Sequence, residues 1–493
     1  MTETTTDIPS KADPIANVPT RTRTPASRHN EQGRSIGLPV IFWLLEQNVG
    51  ALLLVPAAIA GAVWLLSGLW WVGLITLLAL PVVALGIPIV SLVLGSWAKP
   101  KEETKDWAEY IEWRNPEDAK PWLGKRIPME ILYEAYMAEK LDFKGDLYET
   151  MLKRNQLFQF GFTWGDFKFY VGEFLGQNVS HTIESDEGDI AHVYNRGNDF
   201  YHWFLGESMT YTSGIFQDPE ESLEAAQERK LATVCDYVQM QPGDKHLDIG
   251  CGWGPLVTYA AKERGSISTG ITLAQEQADW ANERAKKAGV SDRVTVIVDD
   301  YRNLPSEKWD KITCLEMAEH VGIKNFQAFL LQVKSMLKDD GIFYLQIAGL
   351  RRPWHYEDLV WGLFMAKYIF PGADASCPLG FVVSHLERAG FEVHRVENCG
   401  AHYAVTIKKW YDNWLKNEAA VVEKYGQRWF RMWRMFLGWS VLIGGQGSST
   451  VFMITMSKNA KNDKWTVSAE EGDAQPFNRK QRWIGKNVVA TQQ

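Results

Sequence analysis

The chain has 493 residues, 46% of them hydrophobic and 23% charged, with a formal net charge of −8 and a pI near 5.8. That length accommodates two or three structural units, and the acidic balance argues against a nucleic-acid binder, which would carry a basic stripe. Five cysteines (Cys235, Cys251, Cys314, Cys377 and Cys399) are odd in number and form no CxxC pair, which argues against a disulfide framework or a zinc site and fits reduced thiols in the cytosol.

Residues 1–34 are rich in Thr, Pro, Ser and Arg, lack an apolar period and read as disordered; no apolar core follows the start as it would in a signal peptide. Residues 35–98 carry a single charge, Glu46. About 20 apolar residues cross a bilayer as a helix, so this stretch is expected to form a two-span transmembrane hairpin, near 50–69 and 71–95, turning around Gly68 to Trp71. Trp64, Trp70 and Trp71 suit an interface, and Pro81 and Pro88 would kink the second span. A hairpin buried in a soluble core is the alternative. Arg21, Arg23, Arg28 and Arg34 precede the hairpin and Lys99, Lys101 and Lys105 follow it. Positive flanks stay cytosolic, so both ends of the hairpin and everything after Lys99 are expected to face the cytosol, from an internal membrane, the endoplasmic reticulum.

Residues 99–190 are expected to be a helical connecting region. "PMEILYEAYMAEKLDF" and "YETMLKRNQLFQFGFTWGDFKFYVGEFLG" have roughly helical spacing and many aromatics, which suits either a membrane surface or ordinary packing.

Over 191–460 short β-rich runs ("KHLDIG", "SISTGIT", "VTVIVDD", "KITCLEM", "GIFYLQI") alternate with helical stretches that should stop at Gly265, Gly289 and Gly341. This pattern predicts an α/β fold with a doubly wound parallel sheet. "STVFMITMSK" adds a late strand after a Trp-rich helical stretch, and 461–493 read as a polar tail. Trp410, Trp414, Trp429, Trp433 and Trp439 suit either a helical cap packed on the sheet or the mouth of a lipid pocket.

"HLDIGCGWGPL" (246–256) ends the first of these strands and opens a helix. Gly250, Gly252 and Gly254 are spaced G-x-G-x-G, whereas a dinucleotide loop runs G-x-G-x-x-G. Asp248 precedes the glycines at the strand end, where a carboxylate attracts an ammonium rather than a pyrophosphate. S-adenosylmethionine, with an ammonium, a sulfonium and no phosphate, is the ligand this chemistry suits. Thr272 and Gln277 of "GITLAQEQ" stand where ribose hydroxyls should lie, and Asp300 and Tyr301 of "DDYRN" near the adenine, all at carboxyl ends of strands. An N-cap and an exposed helix residue are the alternative roles for Thr272 and Gln277.

"YNRGNDFYHWFLGESMTYTSGIF", "LDIGCGWG", "GITLAQEQ", "EMAEHVG", "KYIFPG", "ERAGFEV" and "GAHYAVTIKKW" occur in that order. Together they resemble the cyclopropane fatty acid synthase and mycolic acid methyltransferase family over roughly 190–460. The added hairpin is similar to the family's fungal branch, the sphingolipid C9-methyltransferases. The resemblance implies a class I S-adenosylmethionine-dependent methyltransferase fold with a seven-stranded sheet. It also implies methylation of carbon 9 of the sphingoid base of ceramide, with the double bond kept. It assigns cofactor contacts to Tyr211 and Thr212, to the run His246, Leu247, Asp248, Ile249, Gly250, Cys251, Gly252, Trp253 and Gly254, to Thr272 through Gln277, and to Tyr301 and Arg302.

In this family a bicarbonate serves as base, held by a Cys, a Glu, a His and a Tyr. The Glu is Glu319 here, with His320 beside it, and the Tyr is Tyr403; Ser213 and Gln346 stand where the Cys and His are expected. Those departures put bicarbonate in question and mark a rearranged base site, with Glu319 holding or acting as the base. A carbocation formed on methyl transfer would be steadied by Tyr403, Tyr211 or Phe200, packing being the alternative for Phe200. Two other readings stay open: a cyclopropane synthase acting on phospholipid acyl chains, and a protein of this fold that binds lipid without catalysis.

Overall fold

The computed structural model describes residues 59–78, 102–169, 172, 197–304, 307–352, 355–371 and 377–459. They belong to two compact units, one drawn from 178–350 and 370–493, the other from 24–177 and 351–369.

The first unit holds a seven-stranded sheet. Its strands are β1 (Lys245–Ile249), β2 (Ile267–Thr272), β3 (Val294–Val298), β4 (Trp309–Leu315), β5 (Leu337–Leu350), β6 (Phe391–Asn398) and β7 (Ser449–Lys458), in the spatial order β6-β7-β5-β4-β1-β2-β3. β1 pairs in parallel with β2 and β4, and only β7 runs antiparallel, between β5 and β6. The doubly wound sheet read from the sequence is therefore present.

Helices cover both faces. Helix α1 spans Asn198–Leu205, α2 Leu223–Tyr237, α3 Pro255–Arg264, α4 Gln275–Lys287, α5 Ile323–Met336, α6 Leu379–Arg388, α7 Gly400–Lys416, α8 Glu418–Tyr425 and α9 Gln427–Gly445. Leu247, Phe343 and Leu345 pack on one face with Phe326, Phe329 and Phe381 of α5 and α6. Tyr344 and Val451 pack on the other with Val234, Leu256 and Ala260 of α2 and α3. Because neighbouring positions of β5 are claimed by opposite faces, that strand reads as an apolar run rather than an alternation.

Two expectations need correction. The helix before "GIFYLQI" was to end at Gly341; it ends at Met336, and β5 begins at Leu337. β6 was not read as a strand. It lies at the sheet edge, and Glu392, His394, Arg395 and Glu397 dilute its apolar signal.

The turn from β1 into α3 depends on Gly254, whose φ is +73°. Pro255 follows as the first helical residue, where its missing N–H costs nothing. A Cβ on Gly254 would stand 2.6 Å from Ala281 Cβ and 3.1 Å from Ala281 Cα. Gly254→Ala is expected to cost about 1–3 kcal/mol through overpacking and left-handed strain, read as a lower denaturant midpoint.

In the second unit ordinary packing accounts for the aromatic, helix-spaced stretches, which break into short pieces. Met129–Met137 is a helix with Leu132, Tyr133 and Tyr136 buried, and Leu141–Phe143 pairs antiparallel with Ile111–Trp113. The second stretch divides into helices Leu147–Met151, Arg154–Leu157 and Trp164–Phe169 around a short strand, Phe158–Gln159. Arg351–Ile369, placed with the methyltransferase domain on sequence grounds, clusters with this unit instead. Buried Arg154 pairs there with buried Glu357.

Of the hairpin, 59–67 and 70–78 are helical with the break at 68 and 69, inside the expected turn. Leu65, Leu66 and Trp70 are 79%, 89% and 67% exposed. Among the described residues no helix is long and apolar enough to cross a membrane. The outer parts of both expected spans lie outside the described residues, as do 1–34, most of 170–196 and the tail 461–493.

Candidate active site

The strand order reverses between β1 and β4, and a cleft opens there at the carboxyl ends of β1 to β4. This is where open parallel sheets bind ligands. Its volume is about 1160 Å³ counting the open mouth.

β1 delivers Asp248 and Ile249, followed by Gly250, Cys251, Gly252 and Trp253, to the cleft wall. β2 delivers Thr272 with Gln277 from α4, and the turn after β3 brings Asp300, Tyr301 and Arg302. Tyr211 and Thr212 approach from the segment before α2, and His320 from the turn after β4. His246, Leu247 and Gly254 do not line the cleft. Nor do Ser213, Glu319, Gln346 and Tyr403.

For the first three the cause is local. Leu247 points into the core and Gly254 caps α3. His246 lies wholly inside the sheet, its Nδ1 3.0 Å from the Ser268 hydroxyl and its Nε2 2.8 Å from the Thr313 hydroxyl. Burial drives its pKa down to about 3, so it is neutral. Thr313 donates to Asp248 Oδ1 at 2.7 Å, which leaves the Thr313 oxygen to accept from His246 Nε2–H. His246 thus fixes Asp248 from behind.

Burial pushes the Asp248 carboxyl up to about 6, against the opposing pull of Thr313 and Lys230. A buried carboxylate at the mouth of a glycine turn calls for a cation. At Gly252, with φ +52°, an added Cβ would meet nothing within 4 Å, so there is open space beside the turn. Thr272 donates to Gln277 Oε1 at 2.6 Å and accepts from Ala274 N–H; neither side chain caps α4, both are buried, and both face the cleft. Arg302 is held on Asp300, its Nη2 2.6 Å from Oδ2. These residues fit S-adenosylmethionine: a carboxylate for the ammonium, an open glycine turn and a tyrosine for the base.

The pH dependence follows in sign. Ionised Asp248 attracts an ammonium and protonated Asp248 does not. Donor affinity is therefore expected to be flat above about pH 7 and to fall by up to about tenfold per unit below about pH 6, as calorimetry across pH would read.

Phe200 is fully buried, edge-on to Trp414 and Trp433 at 5.1 and 4.8 Å, which is packing. Of the five tryptophans, Trp410, Trp414, Trp433 and Trp439 are buried as well, as a packed cap requires, and Trp429 is half-buried.

Among the cleft-wall residues that sequence reasoning missed are Lys230 and Glu316. Lys230 of α2 is fully buried and donates to Thr212 Oγ1 at 2.7 Å; burial lowers its pKa to about 8 against the pull of Glu316 and Asp248. Its spacing from Ala226 and Val234, four residues either way on the buried face, was the available signal.

The family model for mycolic acid cyclopropane synthetase matches residues 181–460, more than half of the chain. The chain belongs to that family. Within it, the chain is 48% identical over 367 residues to sphingolipid C9-methyltransferase A of Emericella nidulans, covering 73% of this chain and 71% of that protein. It is 44% identical over 389 residues to the sphingolipid C9-methyltransferase of Komagataella phaffii, covering 76% and 80%. A probable fatty acid methyltransferase of Mycobacterium tuberculosis is more distant, 33% identical over 263 residues, 53% of this chain and 61% of that one. Among solved structures, the cyclopropane synthase MmaA2 of Mycobacterium tuberculosis superposes with a TM-score of 0.53 at 23% identity, over 55% of this chain and 98% of its own. That likeness shows the fold alone: a class I S-adenosylmethionine-dependent methyltransferase.

Proposed function

We propose that this member of the mycolic acid cyclopropane synthetase family transfers a methyl group from S-adenosylmethionine to carbon 9 of the 8-unsaturated sphingoid base of ceramide. The observation that carries the substrate is the identity of 42–48% to fungal proteins named as sphingolipid C9-methyltransferases, against 33% to the probable fatty acid methyltransferase. The donor supplies an electrophilic methyl. The chain's own residues supply the rest.

Asp248 takes the ammonium and so fixes where the methyl points. Alignment matters because an alkene is a weak nucleophile, and orientation is the largest help a protein can give such a step. Buried Ile249, Cys251 and Trp253, with Leu315 and Val321, keep water from the cation left on the adjacent carbon. Tyr211 turns its ring to the cleft within a cluster that includes Trp410 at 5.3 Å and Phe370 at 6.5 Å. It is the aromatic face placed to steady that cation. Loss of a proton from the methylated carbon then gives a branched alkene, whereas loss from the new methyl would give a cyclopropane.

The hairpin 35–98 is proposed to hold the enzyme at the endoplasmic reticulum with the cleft in the cytosol. Exposed Trp64, Leu65, Leu66, Trp70 and Leu78, with positive residues on both flanks, support this. Ceramide barely leaves a bilayer, so an anchored enzyme meets it at high effective concentration.

Mass spectrometry of lipids from cells with and without the gene tests the function. The expected result is loss of one CH2 from the sphingoid base, located at carbon 9. An unchanged sphingoid base with a missing cyclopropane fatty acid would transfer the assignment to acyl chains. Extraction of the full-length chain by alkaline carbonate would remove the anchor reading.

A further inference from the structure

Glu316 follows directly on β4, and its side chain reaches the cleft wall. Its φ is +50°, left-handed, a conformation that is costly at a residue with a β-carbon and that clusters at functional sites. The carboxylate is nevertheless tightly held. Ser213 N–H donates to Oε1 at 2.8 Å, and Gln346 Nε2 donates to the same oxygen at 2.6 Å. Tyr344 O–H donates to Gln346 Oε1 at 3.1 Å, which turns the amide so that its NH2 faces Glu316. The Lys230 charge acts on the same carboxylate.

Glu319 and Tyr403 lie within its field as well: Glu316 raises the pKa of each, after burial. Of the four positions around which the sequence placed a bicarbonate, Ser213 and Gln346 therefore hold a carboxylate that belongs to the chain, and Glu319 and Tyr403 feel its charge.

We propose that Glu316 is the catalytic base, a built-in carboxylate that takes the place of a bound bicarbonate. This rests on the reading above that methylation leaves an alkene. Carbon 9 gains the methyl through the alkene π pair, and the electron pair of the broken S–C bond stays on sulfur. Glu316 accepts the proton of the methylated carbon, and the electrons of that C–H bond form the new double bond. The protonated carboxyl then returns its proton to solvent through the cleft mouth.

Of the two neighbouring acids, Glu316 is the one to ionise. Burial raises the pKa of both, but at Glu316 the Ser213 and Gln346 donors and the Lys230 charge oppose it, whereas Glu319, whose Oε2 is buried without a hydrogen-bond partner, is pushed well up by burial and by the Glu316 charge against backbone N–H groups alone. Environments that push two acids apart assign their roles. Glu319 is then a positioning residue.

The test uses the full chain in detergent with ceramide and S-adenosylmethionine, in buffer freed of carbon dioxide and then with bicarbonate restored. Wild-type turnover is expected to be the same in both. Glu316→Gln is expected to lower kcat by about 100-fold or more while the donor still binds by calorimetry. Glu319→Gln is expected to lose less. Glu316→Gly opens an anion-sized space, and added formate or bicarbonate is expected to restore part of its turnover but none to Glu316→Gln. Wild-type turnover that collapses without bicarbonate overturns the proposal, as does a Glu316→Gln variant with normal kcat; the first result stands even if the variants fail to fold. Wild-type protein that binds the donor yet leaves ceramide untouched overturns the substrate assignment instead.

Discussion

Asp248→Asn is expected to weaken S-adenosylmethionine binding by about 10- to 100-fold, because a hydrogen bond to a charged group contributes about 1.5–3 kcal/mol. The side chain is 3% exposed, so water cannot stand in for the lost charge. The asparagine oxygen can still accept from Thr313, and the shape of the turn is kept. Stability should move the other way. Burial raises the Asp248 pKa in the folded state, so above about pH 6 the ionised group destabilises the ligand-free protein. An uncharged side chain relieves that cost, and the melting temperature without donor is expected to hold or rise. A variant that lost affinity together with stability would show that Asp248 supports the fold and does not take the ammonium.

The second large effect lies in the other unit. Arg154→Ala, or Glu357→Ala, is expected to destabilise it by about 3–5 kcal/mol, the cost of leaving one member of a buried ion pair alone. Arg154 and Glu357 are 2% and 4% exposed. Arg154 Nε and Nη2 both donate to the Glu357 carboxylate, and Nη1 donates to the Met151 carbonyl at 3.3 Å. The pair Arg154→Met with Glu357→Leu should cost much less, since it removes both charges at once. Urea unfolding of the three variants decides: equal losses in the single and double variants would mean that packing, not charge, holds these positions.

The fold of the methyltransferase unit was legible where physics leaves local marks. Glycines at +73° and +69° bracket α3, and β-branched runs mark β2 and β3. The edge strand β6 was hidden because an exposed edge needs few apolar residues. The cleft was legible through position, since residues after the strands of a parallel sheet face the ligand. That rule placed Asp248, Thr272 and Tyr301 and would also have placed Glu316. Lys230 could be found only by asking why a lysine stands on the buried face of α2. His246, read as a contact, became a support because its position in β1 points it into the sheet. The assignment of Arg351–Ile369 to the other unit left no local mark, because membership in a unit is settled by partners far away in sequence.

That excursion also bears on synthesis. The partners of the buried ion pair are 203 residues apart, and at about 5–20 residues per second a ribosome needs about 10–40 s to bridge them. Throughout that interval the early unit waits with an unneutralised guanidinium and a vacant seat for Leu363 and Phe364, while β1 to β5 emerge in turn. Its completion is vectorially delayed, and a holding chaperone has its natural window there.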